Sequence, residues 1–393
     1  MVREWRLRVK KGACMKKIGI ITFSNSTNYG GVLQSVALSY TLRKLGMEPI
    51  NITCQKMPSA WNSPKKYVRR RVRLYGSKGI KAKIRICGGV GKTFFSNVHY
   101  FSAKSKIRNF QKFINENLTV TQYYETDIQL KNICCSFDAY ILGSDQVWNN
   151  SFTDNRFKSI YFLEFVPKSI PCYSYAASAG GEKSDSYILE IIQRTRDFVG
   201  ITVREKSLEE HMKRLGCEKV NTVLDPTLLL SREEWINFEK KPKKIPKHYI
   251  LVYYLERSSG NDPVIKKIAE RYDLPVIDIM PDYRKAGYRR VIDNTAGPAE
   301  FLYYVHHADF VITNSFHMTV FSIIFGRKFV ALKRTGQESR IHDLLQQVNM
   351  SSRFIDDVDD CGVIDEHVNS YEKNLKKYMM DSIDYLKNIG EPK

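Results

Sequence analysis

Short apolar runs alternate with amphipathic stretches along most of the chain, and the clearest example lies in residues 308–332. There, an apolar run at 308–313 is followed by a polar turn, a helical stretch at about 316–325 and a second apolar run at 328–332. Both runs are typical of strands in a parallel sheet that is covered on both faces. The helix between them is apolar nearly all round, which indicates that it is sandwiched in a core.

The same alternation begins near the N-terminus. Residues 17–23 are predicted to form a strand, 24–31 a loop, 32–45 a helix that stops at Gly46, and 48–53 the next strand. Further strands are predicted at 137–142, 172–178, 198–203, 220–224, 249–255 and 275–280, with helices at about 263–272 and 298–306, from Arg340, and at 366–388. Strands that alternate with helices predict the α/β class with parallel sheets.

A change of composition divides this pattern into two halves. The segment 240–247, KKPKKIPK, is basic, contains proline and lacks apolar periodicity, as expected of a linker. We therefore predict an N-terminal appendage at 1–15, a Rossmann-like domain at 16–239, the linker 240–247, and a second Rossmann-like domain at 248–393 that includes the C-terminal helix. Two such domains facing a cleft have the layout of fold B glycosyltransferases.

Polar residues stand where the predicted strands end. Asn314 and Ser315 are natural N-cap residues, and His317 lies in the first turn of the following helix. Open α/β sheets bind ligands at this edge, and a helix N-terminus attracts anions. The sequence thus predicts a site for a phosphate or a carboxylate, although a single histidine here could also only cap the helix or fill space.

The first half contributes polar residues of the same kind. Asn28, Gly30 and Gly31 lie in the loop after the first strand, where the two glycines either face a ligand or only permit a tight turn. The pair does not form GxGxxG, so a dinucleotide site is weakly supported.

Later strand ends add further candidates. Ser144 and Asp145 follow the strand at 137–142, and Arg204 follows the strand at 198–203. Arginine suits bidentate binding of carboxylate or phosphate, while the alternative is a surface ion pair between Arg204 and Glu205. Arg340, at the start of a later helix, is a further candidate for anion binding.

The chain has a formal net charge of +20, and the charge is concentrated in one segment. The basic segment, 49–115, contains sixteen lysines and arginines and no acidic residue. It could be a solvated helix face, a flexible insertion, a nucleic-acid-binding surface or a surface for anionic lipid headgroups. The cations expected to face a membrane are Lys65, Lys66, Arg69, Arg70, Arg71 and Arg73.

Composition excludes several other classes of protein. No run of 18 apolar residues and no secretory signal is present, so we expect a cytoplasmic protein. The eight cysteines are scattered without CxxC, which favours reduced thiols, and no metal site is predicted.

Several motifs follow one another along the chain: KIGIITFSNSTNYGGVLQSVALSYTLRKLG, FDAYILGSDQVWN, ITVREKS, VLDPTLLL, ADFVITNSFHMTVFSIIFGRKFV and SRIHDLL. In this order they resemble the polysaccharide pyruvyltransferase family. They cover most of residues 16–350. Members of this family have two Rossmann-like domains and move pyruvate from phosphoenolpyruvate onto two hydroxyls of a sugar, which forms a cyclic ketal on a surface polysaccharide precursor.

The resemblance implies that the arginine of VRE and the histidine of SFH, which are Arg204 and His317, are associated with the donor. The mechanism that we expect from it makes His317 the acid or a ligand of the phosphate. Asp145 is the candidate base. The donor side would include Asn314, Ser315 and Arg340, and the acceptor side Asn28, Gly30, Gly31 and Ser144. Phosphoenolpyruvate would be a co-substrate, with no resident cofactor.

The resemblance also bears on location and on the alternatives. Acceptors in this family are often sugars on a lipid pyrophosphate, so the basic segment would attach the enzyme peripherally to the inner face of the plasma membrane. Met318 stands where the family commonly has glycine, and we expect it to narrow the pocket. Alternatives are a fold B glycosyltransferase with a nucleotide-sugar donor, a nucleic-acid-binding protein, and a non-catalytic member of the family.

Overall fold

The structure is a computed structural model, and it describes most of the chain. The described residues are 15–55, 57, 91–150, 159–255, 261–279, 287–333, 338–355 and 371–391, without the side chains of 91–100, 261, 262 and 338. Residues 1–14 of the appendage and the predicted membrane-facing cations, Lys65, Lys66, Arg69, Arg70, Arg71 and Arg73, lie outside the described residues.

The first half folds around a parallel sheet. Its strands are β1 (Lys17–Ile21), β2 (Glu48–Thr53), β3 (Val120–Tyr123), β4 (Ala139–Leu142) and β5 (Cys172–Ser174). They pair in the order β3-β2-β1-β4-β5. Two further parallel strands, β6 (Ile201–Val203) and β7 (Val220–Thr222), continue this sheet through bridges from Tyr173 to Gly200 and from Ala177 to Val203. The strand order reverses at β1, which creates the switch point where such sheets bind ligands.

Helices cover this sheet and connect its strands. They are α1 (Tyr29–Lys44), α2 (Gly91–Asn117), α3 (Asp127–Lys131), α4 (Asp185–Arg194), α5 (Lys206–Arg214) and α6 (Arg232–Ile236). The predicted loop 24–31 is wrong at its end, because α1 begins at Tyr29 and places both glycines in its first turn. Ser231 and Glu234 form a capping box at the start of α6.

The 27-residue helix α2 falls largely in the basic segment, where the sequence left several alternatives open. Its charges obscure the apolar pattern, but Phe110, Phe113 and Ile114 are buried against the first domain's core. At least residues 101–115 of the basic segment therefore belong to a packed helix.

The second half repeats the architecture. Its strands are β8 (Ile250–Tyr253), β9 (Val276–Asp278), β10 (Arg290–Ile292), β11 (Phe310–Thr313), β12 (Lys328–Leu332) and β13 (Phe354–Ile355). Its helices are α7 (Asn261–Tyr272), α8 (Pro298–His307), α9 (Phe316–Ile324), α10 (Glu338–Gln347) and α11 (Tyr371–Lys387). All strands are parallel, in the order β10-β9-β8-β11-β12-β13. The predicted class, α/β with two Rossmann-like sheets, is confirmed.

The helix α11 returns to the first domain, although it lies in the segment assigned to the second. Ser382 Oγ accepts a hydrogen bond from the backbone N–H of Leu224 at 3.0 Å, and Tyr385 Oη donates to the carbonyl of Ser174 at 2.9 Å. Leu386 is fully buried in the largest core cluster, which contains residues of both halves. Within the described ranges, no helix is both long and apolar enough to cross a membrane.

Candidate active site

A buried carboxylate lies at the centre of the polar residues that gather at the strand ends. Asp225 follows β7 and is 1% exposed. Its Oδ2 accepts hydrogen bonds from Ser144 Oγ at 2.9 Å and from Arg204 Nη1 at 3.2 Å. Its Oδ1 accepts from the N–H and the hydroxyl of Thr227, at 3.0 and 2.6 Å. These donors join β4, β6 and the turn after β7 into one cluster.

Arg204 is held from two sides, and part of its guanidinium remains without a partner. Nε donates to Glu205 Oε1 at 3.0 Å, so the predicted pair exists, but it is buried and not on the surface. The guanidinium carbon lies 4.2 Å from the ring centroid of Phe316, in the second domain. Nη2 is buried and has no hydrogen-bond partner among the residues that the structure describes. A buried donor of this kind is costly unless a ligand satisfies it.

His317 approaches the same carboxylate from the second domain. Its Nε2 is buried and lies 3.5 Å from Asp225 Oδ2, and in the described part of the chain it forms no hydrogen bond of the usual geometry. The other side of the imidazole packs directly on the backbone of Gly30, where a Cβ would overlap the ring atoms. Gly30 is therefore required for close approach of a side chain, and not for an unusual backbone conformation.

Two helix N-termini converge on this imidazole. Asn28 caps α1 by accepting from the N–H groups of Gly30 and Gly31, and Ser315 caps α9 by accepting from the N–H of Met318. Both helices direct the positive ends of their dipoles toward the place where His317 meets Gly30. The local potential thus favours an anion.

Asp145 borders the cluster on the side of the first domain. It is buried, and its backbone has a positive φ of 79°, which a non-glycine residue adopts only under local constraint. A Cβ on Gly31 would lie 3.4 Å from Asp145 Oδ2, so the carboxylate faces the start of α1. Its Oδ1 accepts from the N–H of Gln146 at 2.8 Å.

The charges stabilise one another. Burial alone raises the pKa of the Asp225 carboxyl, but His317, Arg204 and the hydrogen bond from Thr227 outweigh it and hold this pKa well below its usual range. Burial likewise lowers the pKa of Arg204, but the carboxylates of Glu205, Asp225 and Asp145 raise it further than burial lowers it. The site therefore holds a permanent carboxylate and a permanent guanidinium.

Other predicted residues have more peripheral positions. Asn314 is buried, and its Oδ1 accepts from the N–H of Leu255 at 2.8 Å, which ties the end of β11 to the end of β8. Arg340 is buried in the first turn of α10. That helix contacts the start of α5, where the backbone N–H of Ser207 donates to Asp343 Oδ2 at 3.1 Å. Met318 is fully buried in the core, and the narrowing of the pocket that we expect from it stays a prediction.

The sequence prediction left out the residue on which the cluster depends. Asp225 is not among the predicted site residues, although it directly follows a predicted strand, as Ser144 and Arg204 do. That position is the signal that would have placed it at the same edge of the sheet.

A second group of side chains has metal-ligand chemistry, away from this cluster. Three residues, Glu239, His306 and His307, each offer one ligand atom, and these atoms lie within 4.8 Å of one another. The guanidinium of Arg232 has no acceptor atom, so His306 Nε2 accepts its hydrogen bond, at 3.3 Å. His306 Nδ1 therefore carries the proton and donates to Glu239 Oε2 at 2.9 Å. These side chains therefore satisfy one another's hydrogen bonds. They connect Glu239, just before the linker, to the end of α8.

Solved structures share this fold. A putative UDP-N-acetylglucosamine 2-epimerase from Listeria monocytogenes superposes with a TM-score of 0.54 at 9% identity, over 96% of this chain and 92% of its own. The corresponding epimerase from Rickettsia bellii gives a TM-score of 0.50 at 10% identity, over 95% and 99%. A UDP-glucosyltransferase from Polygonum tinctorium gives 0.51 at 8% identity, over 98% and 100%. These likenesses confirm the fold B arrangement.

Sequence comparison identifies the family. No curated protein sequence matches the chain. The family model for polysaccharide pyruvyl transferase, however, matches residues 28–335. That span begins at the cap of α1 and includes Asp145, Arg204, Asp225 and His317, so it covers the whole cluster. The chain therefore belongs to the polysaccharide pyruvyl transferase family, a family of transferase enzymes.

Proposed function

We propose that this protein transfers pyruvate from phosphoenolpyruvate onto two hydroxyls of a sugar in a surface polysaccharide precursor and forms a cyclic ketal. The observation that carries the proposal is the pair of buried nitrogens, Arg204 Nη2 and His317 Nε2, which have no hydrogen-bond partner within the described residues and lie beside two helix N-termini. A small donor with two anionic groups would satisfy both nitrogens at once.

The donor's two anionic groups fit the two cationic groups. Arg204 would bind the carboxylate through Nη2 while its other nitrogens stay on Glu205 and Asp225. The phosphate would lie toward the N-terminus of α9 and His317. Arg340 and Asn314 would complete the donor side from α10 and the end of β11.

The reaction then requires one acid and one base. Protonated His317 gives its proton to the methylene carbon of phosphoenolpyruvate, and the adjacent carbon becomes an oxocarbenium ion. A sugar hydroxyl attacks that carbon and gives its proton to Asp145. The C–O bond to phosphate breaks, the second hydroxyl attacks the same carbon, and its proton leaves with the phosphate. Asp225 stabilises the imidazolium before the transfer.

The acceptor side is assigned to Asn28, Gly30, Gly31 and Ser144. Asn28 Oδ1 caps α1 and Ser144 Oγ donates to Asp225, so these groups shape the wall of the site before an acceptor arrives. We also propose that the basic segment attaches the enzyme to anionic lipid, where a lipid-linked acceptor would be found.

Binding of the donor is the first prediction. Phosphoenolpyruvate should raise the melting temperature, because a ligand that binds only the folded state stabilises it by about 2.7 kcal/mol at a hundredfold excess over its Kd. Nucleotide sugars and nucleoside diphosphates should not. Arg204→Lys keeps the buried charge but loses the planar fork, and it should abolish the shift. If only nucleotides raised the melting temperature, the result would indicate glycosyl transfer and not pyruvyl transfer.

Gly30→Ala tests the packing of the imidazole. The added methyl group would overlap the His317 ring and displace it, at a cost of about 1–3 kcal/mol. The affinity for phosphoenolpyruvate, measured by calorimetry, should fall about tenfold or more. In the control Gly287→Ala, the new methyl group meets Lys266 at 3.7 Å, an ordinary contact, and affinity should be unchanged. Equal affinities in the two variants would contradict the proposed role of His317.

Asp225→Asn tests the electrostatic role of the buried carboxylate. The substitution leaves Arg204 and His317 without the negative charge beside them, so the free energy of unfolding should fall by about 3–5 kcal/mol. Ser144→Ala removes one hydrogen bond but keeps the charge, and it should cost only about 1 kcal/mol. Urea denaturation of the two variants measures both costs. Equal losses of stability would contradict the central role of Asp225.

Co-sedimentation with liposomes tests membrane attachment. The test variant replaces Lys65, Lys66, Arg69 and Arg70 by Gln. The control replaces Lys241, Lys243, Lys244 and Lys247 by Gln, which removes the same charge from the linker. The test variant should lose about 1 kcal/mol of binding to anionic liposomes per cation, and the control should not. Binding that depends neither on the salt concentration nor on the charge of the lipid would rule out attachment by this segment.

A further inference from the structure

The helix that follows Arg204 does not cap its own N-terminus. α5 begins at Lys206, and its N-cap residue, Glu205, makes no capping hydrogen bond with its side chain. The carboxylate of Glu205 instead accepts a hydrogen bond from Arg204 Nε at 3.0 Å. The first N–H groups of a helix have no partner within the helix. The start of α5 therefore needs an acceptor from another part of the molecule.

Asp343 of α10, in the second domain, supplies that acceptor. Its Oδ2 accepts from the backbone N–H of Ser207 at 3.1 Å and from the Ser207 hydroxyl at 2.8 Å. A carboxylate suits this place, because a helix N-terminus carries partial positive charge. A helix cap usually comes from the residue just before the helix. Here the capping residue lies 136 positions further along the chain, across the domain boundary.

The second domain determines where Asp343 lies. The helix α10 packs on α9 and on β13 in that domain, and Ile341, Leu344 and Leu345 are buried in the core. Asp343 therefore moves with the second domain, whereas Ser207 moves with the first. A change in the relative position of the domains would disturb this contact, as it would disturb that between His317 and Asp225.

The turn that Asp343 holds is the one that carries Arg204. Only Arg204 and Glu205 separate the end of β6 from the start of α5. At one end of the turn, the N–H of Arg204 donates to the carbonyl of Ala177 at 3.0 Å. At the other end, Asp343 caps α5 at Ser207. Because the turn is so short, a displacement of the first residues of α5 also displaces the Arg204 guanidinium.

The second domain thus reaches this turn at two points. The Phe316 ring packs on the guanidinium of Arg204, and Asp343 fixes the start of α5. Arg340, the candidate donor residue of α10, lies three positions before Asp343, so the two share one face of the helix. The face of α10 that would bind the donor is therefore also the face that caps α5.

We propose that Asp343 is a positioning residue for the donor site. By capping α5 from the second domain, it fixes the turn that carries Arg204 and couples the direction of the guanidinium to the arrangement of the domains. Asp343 acts through α5 and not on the donor itself, because its Oδ2 already accepts two hydrogen bonds from Ser207. The proposal rests on the proposed function, since the donor is the ligand that Arg204 would bind.

The test is calorimetric titration of the full chain with phosphoenolpyruvate in four proteins. They are the wild type, Asp343→Ala, Asp343→Asn and the control Gln346→Ala, whose side chain is exposed on the same helix. Asp343→Ala should bind on the order of tenfold more weakly, because the cap is lost. Asp343→Asn should restore binding, since asparagine caps a helix about as well as aspartate does. Gln346→Ala should bind as the wild type does.

The two substitutions of Asp343 separate positioning from charge and from stability. Both remove the carboxylate, so a purely electrostatic effect would strengthen the binding of an anionic donor equally in both variants. A purely structural role would lower the melting temperature of Asp343→Ala and leave its affinity unchanged at a temperature where the variant is folded. Either result would overturn the proposal.

Hydrogen exchange without any ligand gives a readout that does not depend on the donor. In Asp343→Ala, the N–H groups of Ser207 and of Arg204 should both exchange on the order of tenfold faster than in the wild type. Unchanged exchange at Arg204 would refute the coupling through the turn. If phosphoenolpyruvate bound to none of the four proteins, the proposed donor would be refuted, whereas exchange at Arg204 would still decide whether Asp343 positions the turn.

Discussion

The buried carboxylate of Asp225 imposes an electrostatic constraint on the whole site. A carboxylate without solvent needs donors and positive charge, and here they come from Ser144, Thr227, Arg204 and His317. Arg204 pairs with the carboxylates of both Asp225 and Glu205. The cluster is thereby held together without a bound substrate, and the unpartnered nitrogens on its rim keep their direction. Such preorganisation lowers the cost of ordering the site when an anion binds.

The site also depends on close contact between the two domains. His317 and Phe316 belong to the second domain, whereas Gly30, Arg204 and Asp225 belong to the first. The imidazole lies against a glycine, and the guanidinium lies over the Phe316 ring. Movement of the two domains away from each other would therefore break both contacts. In this family of two-domain folds, the chemistry of the cluster is therefore coupled to the relative position of the domains.

Periodicity predicted the inner strands of both sheets but not the edge strands β3, β10 and β13, because the inner strands bury apolar residues at regular spacing. The run 328–332 coincides with β12, and the helix at 298–306 differs from α8 by one residue. Three features could not be predicted in this way. The helix α2 is hidden by its cations, the first turn of α1 contains two glycines that favour a loop, and the grouping of Asp225 with His317 depends on two sheets meeting in space. Residues at strand ends were predicted individually, but their distances arise only from tertiary structure.

The return of α11 to the first domain has a consequence for biogenesis. This helix follows every strand of the second sheet in the chain, yet its hydrogen bonds are made with Leu224 and Ser174 beside β7 and β5. A ribosome therefore delivers it only after the entire second domain has emerged. Until then, the apolar surface that Leu386 covers remains open, and the nascent first domain is incomplete even though its own sheet has been synthesised. Such an intermediate exposes an apolar surface of the kind that chaperones bind. Docking of α11 covers that surface.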